Sequence, residues 1–246
     1  PVARALGQHR AAQGLPVAFY GLEPEAPWRA DEVRPNFAGG SDFLAMHGDH
    51  TLGLVRLRVP GRHNVSNAMA ALVVAHHFGV PFPTARSALT GFRGVGRRFE
   101  IKGKADGVTV IDDYAHHPTE IRATLAAARE QFPDRRLWAV WQPHTYSRTH
   151  ALLEEFAAAF DEADHVVILP IYAARERDTL GVSSADVAAR MDHPDVRLVD
   201  SLDHATVLLA TEAHSGAVVL TLGAGDGNRV GEWLLTALRK EEEEDG

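Results

Sequence analysis

Residues 107–131, GVTVIDDYAHHPTEIRATLAAAREQ, decide how this chain is expected to fold. The run up to Ile111 is apolar and β-branched, as a buried strand requires. It breaks off at Asp112-Asp113-Tyr114. Pro118 comes soon after, a residue suited to the first helical position because its missing N–H would have no helical partner there. His117 therefore stands at a helix start, and residues 118–131 continue in a helical pattern. A strand that enters a helix across a polar link is the first half of a βαβ unit. Downstream, the strand-like runs RLWAVWQP (136–143), DHVVILPIY (164–172), DVRLVD (195–200) and AVVLTLGAGD (217–226) alternate with helical runs near 150–162, 183–190, 202–213 and 228–241. Near-continuous apolar strands separated by amphipathic helices predict an α/β domain with a mainly parallel sheet covered on both faces.

Upstream the pattern differs. A short helical stretch opens the chain, and PVAFYGL (16–22) and HTLGLVRLRVP (50–60) read as strands. NVSNAMAALVVAHHFGV (64–80) reads as a helix capped by Asn64 or Ser66 and stopped by Gly79 and Pro81, and a shorter helix, TARSALTGF (84–92), comes next. The change of pattern inside GFRGVGR (91–97) sets the expected division: residues 1–92, residues 93–240, and an acidic disordered tail at 241–246.

Composition narrows the classes. Of 246 residues 45% are hydrophobic and 24% charged, which suits a globular protein with a real core. There is no cysteine, so disulfides and thiolate–zinc sites are excluded. The formal charge of -8 gives no basic field for nucleic acid, and no apolar run approaches bilayer length, so neither nucleic acid nor membrane is an expected partner. A cytoplasmic setting is the default. The chain opens on Pro1 and is expected to begin partway through a longer protein.

In an open parallel sheet, ligands bind beyond the carboxyl ends of the strands. Four predicted strands end there in polar or glycine-rich residues: Asp112-Asp113-Tyr114, the run from Gln142 to Arg148, Arg175-Glu176, and Gly223-Ala224-Gly225-Asp226. Helix caps explain any one of these; all four together favour a site. DDYAHHPTE tempts a metal reading, but adjacent imidazoles point in different directions and chelate poorly, whereas zinc-binding helices space two histidines by four. No metal site is expected. GRHNVSNA (61–68) places Asn64 and Asn67 on one side of a helical turn, where amides match the donor–acceptor edge of adenine; plain capping is the alternative. RGVGRRFE (93–100) offers Arg97 and Arg98 for phosphate, or for a surface ion pair with Glu100. The glycines at 223, 225 and 227 lack the dinucleotide spacing.

Taken in order, GRHNVSNAMAAL, GVGRRFE, DDYAHHPTEI, WQPHTYSRT and the terminal GAGD resemble the Mur ligases, over roughly residues 15–235. Among them the chain looks most like the members that join L-alanine to UDP-N-acetylmuramate, ahead of those that recycle murein peptides. The resemblance implies the end of a P-loop-type α/β ATPase domain and then a Rossmann-like C-terminal domain. Its missing partners would be an N-terminal UDP-sugar domain and the P-loop segment, with the Mg2+ ligands also upstream; the pattern G-x-x-x-x-G-K-[ST] does not occur here. It implies ATP-driven amide formation through an acyl phosphate in peptidoglycan-precursor synthesis, a reaction that depends on positioning and charge neutralisation. Carried over by residue, the resemblance places His63, Asn64 and Asn67 at adenine and Arg98 on the phosphate side, as a catalytic residue. It places Asp113, or less so Asp112, at the ribose. Tyr114, His116 and neighbouring His117 line the amino-acid pocket, and His144 and Arg148 hold the alanine and the intermediate. His116, His144 and Arg148 count among the catalytic residues. Thr145 replaces an arginine of some members, leaving carboxylate binding to Arg148 or to backbone groups. Alone, the chain is expected to bind nucleotide and amino acid without catalysing. A free-standing nucleotide or amino-acid binding module that regulates a partner is the alternative.

Overall fold

The computed structural model describes residues 2–245, with side chains through residue 240, and the chain divides into two units, Pro1–Arg93 and Gly94–Gly246.

The first unit comprises α1 (Val2–Ala12), β1 (Tyr20–Gly21), β2 (Trp28–Pro35), β3 (Ser41–His47), β4 (His50–Arg56), α2 (Arg62–His77) and α3 (Phe82–Gly91). Its sheet runs β1-β2-β3-β4, parallel at the first pairing and antiparallel at the others. Strands β2 and β3 lie between the two runs predicted as strands and escape the sequence pattern. The reason is local: Asp31, Glu32 and Arg34 break the alternation, and the register shifts between Asp31 and Arg34, where Glu32 adopts φ 52. Asn36 then holds the turn into β3. Its carbonyl accepts the Ala38 and Gly40 N–H groups, and its amide donates to the Leu57 carbonyl and Asp42. Trp28, Phe43, Val55, Val65, Met69 and Leu72 form the core beneath α2.

Helix α2 begins earlier than predicted. Its N-cap is Gly61 at φ 94, with no side-chain cap, so neither Asn64 nor Ser66 caps it. Asn64 sits in the first turn and donates to the Pro60 carbonyl at 2.7 Å. At the other end Gly79, at φ 75, turns the chain so that its own N–H and that of Val80 close onto the His76 and Ala75 carbonyls.

The second unit contains β5 (Glu100–Ala105), β6 (Val108–Asp113), α4 (Pro118–Gln131), β7 (Leu137–Trp141), α5 (Tyr146–Ala151), α6 (Leu153–Ala157), β8 (His165–Ile168), α7 (Ser184–Ala188), β9 (Val196–Leu198), α8 (Leu202–Glu212), β10 (Val218–Leu222) and α9 (Asn228–Asp245). The sheet order is β5-β6-β10-β7-β8-β9, parallel throughout except for β5. The doubly wound α/β fold is therefore present as predicted, with an antiparallel edge strand added. Alternate side chains of each central strand enter different layers. Ile111, Leu137, Ala139, Trp141, Val166, Ile168 and Leu220 join the layer of α4 and α6. Val108, Val110, Trp138, Val140, Val167 and Val219 join that of α8 and α9. Burial on both faces explains why these strands read as continuous apolar runs. The single helix predicted near 150–162 is two short ones, and the first starts at Tyr146. The acidic tail predicted as disordered at 241–246 continues α9 in its backbone to Asp245; Glu is a good helix former. Its side chains and Gly246 lie outside the described residues.

Candidate functional site

Strand pairing brings the predicted polar ends to one edge. Leu222 at the end of β10 is in register with Asp113 of β6 and with Trp141 of β7, and Trp141 is in register with Ile168 of β8. The loops leaving these four strands therefore emerge side by side.

After β6 the chain forms a lip. Asp113 is almost fully buried; one oxygen accepts the Phe99 N–H at 2.9 Å and the other the Ala115 N–H at 2.8 Å. Burial raises its pKa against those two hydrogen bonds. Asp112 is also buried, bonded to Arg97 at 2.9 Å and to the Thr221 hydroxyl at 2.8 Å. The expectation that these carboxylates face a ribose thus meets a competing use: both are turned inward, because each satisfies donors that would otherwise be buried unpaired. Tyr114 is exposed, His116 half-buried and His117 exposed. His117 is the N-cap of α4, as predicted; its Nδ1 accepts the Thr119 N–H at 3.2 Å, and Glu120 takes the His116 and His117 N–H groups in return.

His144 lies just beyond β7 and stacks on Tyr172, with ring centres 5.6 Å apart. The two residues also form a β-bridge, Thr145 N–H donates to the Tyr172 carbonyl, and Tyr172 N–H donates to that of Pro143. His116 lies 6.2 Å from His144 and Tyr114 lies 5.3 Å from His116, so four rings run in a row along the sheet edge. Arg148 Nη1 approaches His144 Nδ1 at 3.2 Å. A guanidinium can only donate, so Nδ1 accepts and the ring proton belongs on Nε2. In His116 it is Nδ1 that carries a proton, donated to the Tyr114 carbonyl at 2.9 Å.

Burial lowers the His144 pKa, and the charges of Arg148 and His116 lower it further. A base with a depressed folded value favours the folded state above its ordinary pKa of about 6.5, and that contribution is lost as pH falls through the lowered value. Protonation also ends the Arg148 bond, because Nδ1 then has no lone pair. Imidazole NMR is expected to show His144 titrating below the ordinary histidine value of about 6.5. Arg148→Ala should raise its midpoint without restoring the ordinary value; an unmoved midpoint would separate the two side chains.

The arginines divide the work. Arg97, at φ 58, sends its guanidinium to Asp112 and to the Gly223 and Gly225 carbonyls at 2.8 and 3.2 Å. Arg98 stands 5.5 Å from the Tyr114 ring centre and 3.9 Å from Glu120, with 51% of its side chain open to solvent. The glycine-rich loop after β10 is packed against Gln142, which bonds Asp226 and the Gly227 N–H. A Cβ at Gly225 would fall 2.3 Å from Gln142 Oε1 and 2.7 Å from the Tyr172 ring, so this loop serves close packing.

The structure thus gathers Arg98, Tyr114, His116, His117, His144 and Arg148 along one edge of the second unit. His63, Asn64 and Asn67 lie on α2 of the first unit; Asn67 is exposed and Asn64 half-buried. Three residues gain roles that spacing did not assign: Arg97 as a tie, Tyr172 as the ring under His144, and Glu176, which accepts the Ser147 N–H at 2.9 Å and the Ser147 hydroxyl. Only the position of Glu176 after a strand end signalled it. Among the described residues no three His, Asp or Glu side chains are grouped to hold a metal ion, and no helix is long and apolar enough to cross a membrane.

Fold and edge together define a class: a doubly wound α/β unit with a polar carboxyl edge, preceded by a smaller mixed α/β unit. Residues 1–75 match the Mur ligase middle domain and residues 97–225 the Mur ligase glutamate ligase domain, and the chain belongs to the Mur ligase family. It is 42% identical over 91% of its length to a UDP-N-acetylmuramate–L-alanine ligase of Caldanaerobacter subterraneus, and 43% over 97% to that of Symbiobacterium thermophilum, covering 49% and 50% of those proteins. The chain therefore spans about half the length of the curated relatives it matches. Among solved structures, the UDP-N-acetylmuramate–alanine ligase MurC of Thermotoga maritima aligns over 92% of this chain and 48% of its own, at 25% identity and TM-score 0.74. A murein peptide ligase of Psychrobacter arcticus aligns over 94% of this chain and 49% of its own, at 27% identity and TM-score 0.66.

Proposed function

We propose that this chain is the C-terminal half of a ligase that joins L-alanine to UDP-N-acetylmuramate with ATP, in the cytoplasm, during peptidoglycan-precursor synthesis. The observation that carries the reading is the row Tyr114–His116–His144 with Arg148 bonded to His144, at the carboxyl edge of the sheet. A guanidinium beside a neutral imidazole suits an amino-acid carboxylate and an amine that must end uncharged. Arg98, half open to solvent, suits the phosphoryl oxygens, where fixed positive charge neutralises what develops during transfer. Asn64, Asn67 and His63 are assigned to adenine. Asp113, expected at the ribose, serves in this reading by shaping the lip that carries Tyr114 and His116. Among the described residues no acidic and imidazole groups cluster to hold a metal ion, and in this reading the Mg2+ ligands belong to the preceding half of the protein.

The test is ATP-dependent phosphate release. With UDP-N-acetylmuramate and L-alanine, this chain alone is expected to release none, since it contains no phosphate-loop pattern. Joined to the preceding half of the protein it should release phosphate only when all three substrates are present. Release with a murein peptide in place of L-alanine would favour the second reading, which the similarity to the Psychrobacter protein supports. Binding of nucleotide or alanine without any release from the joined protein would favour a regulatory module.

A further inference from the structure

We propose that Glu176 selects a zwitterionic amino acid at the His144–Arg148 turn, its carboxylate facing the substrate's α-ammonium while Arg148 faces the substrate's carboxylate. The inference rests on the proposed ligase function and names a specificity residue within it.

Glu176 lies in the segment after β8, four residues beyond Tyr172, whose ring stacks on His144. The Ser147 N–H at 2.9 Å and the Ser147 hydroxyl fasten its carboxylate to the residue that precedes Arg148, whose guanidinium is joined to His144 at 3.2 Å. The Glu176 charge is felt at the same imidazole: it favours protonated His144, against burial, Arg148 and His116. An anion and a cation therefore both act on one ring. A free α-amino acid carries the complementary pair of charges across a single carbon, whereas a hydroxy acid carries only the negative one. The Ser147 hydrogen bonds hold the Glu176 pKa below the usual carboxylate range, so the group remains an anion and orients an ammonium rather than accepting its proton. Each of its oxygens keeps a lone pair beyond the bond to Ser147.

L-Lactate replaces the ammonium of L-alanine by a hydroxyl with little change of shape, so the pair separates recognition of charge from upkeep of the turn. Binding of both would be measured by NMR titration on the unaltered chain, on Glu176→Gln and on Ser147→Ala. Glu176→Gln is expected to weaken L-alanine about tenfold while leaving L-lactate within about twofold. Equal weakening of both ligands makes Glu176 a clamp for α5 alone and overturns the inference, as does unchanged alanine affinity. An unaltered chain that binds lactate and alanine alike overturns it too. If the unaltered chain binds neither, the amino-acid reading of the edge falls first and the inference with it. A second readout needs no ligand: Glu176→Gln should lower the His144 titration midpoint, and an unmoved midpoint would place the carboxylate out of reach.

Discussion

Arg148→Ala in the complete protein is expected to raise the apparent KM for L-alanine roughly 100-fold and to leave that for ATP within about threefold. Arg148 is half-buried at the end of a single turn from His144, and its Nη1 bonds the His144 Nδ1. A charge-assisted hydrogen bond to a carboxylate, lost while that carboxylate still has to leave water, costs about 3 kcal/mol. The groups assigned to nucleotide are different residues, those of α2 and Arg98, so ATP should barely notice. The discriminating measurement is the pair of KM values on one variant. Equal rises in both would remove Arg148 from the amino-acid pocket.

Arg97→Ala is expected to destabilise the second unit by about 3–5 kcal/mol, read as a lower urea midpoint of tryptophan fluorescence. Three guanidinium N–H groups hold Asp112 and the carbonyls of Gly223 and Gly225, joining the ends of β6 and β10. Asp112 is 1% exposed. Without Arg97 it retains, among the described residues, the Thr221 hydroxyl and must stay a poorly paired anion or take up a proton. Arg97→Lys should recover little, because an ammonium cannot span three acceptors in a forked plane. Replacing Asp112 by Asn in the Arg97→Ala background should recover part of the loss by removing the stranded charge. A midpoint unchanged by Arg97→Ala would reduce the tie to a surface contact.

The two variants separate the features legible along the chain from those that are not. The strand run into Asp112, the proline at 118 and the helix to 131 are legible because each signal is local: a β-branched apolar run, a fixed φ, a capping residue. Strand β5 is not, since EIKGKA is charged and pairs on one side only, and β2 is hidden by the bulge at Glu32. The roles of the paired arginines cannot be read from RRFE at all. They come from the left-handed backbone at Arg97, which turns one guanidinium into the domain and leaves its neighbour outside. The same holds for the neighbouring aspartates, whose carboxylates answer to buried donors brought from Phe99, Thr221 and Arg97.

By itself the sequence determined the doubly wound α/β unit and the set of polar strand ends at its carboxyl edge, because apolar periodicity and turn chemistry are properties of neighbouring residues. The tertiary structure alone decided which of those polar groups face outward. Placing β10 between β6 and β7 brings Gly223 and Gly225 to Arg97, Tyr172 stacks on His144, and Glu176 is held to Ser147 at the start of α5. These pairings join residues from 28 to 128 positions apart, and the cost of leaving a buried polar group unmatched, not any local preference, determines the ties of Arg97.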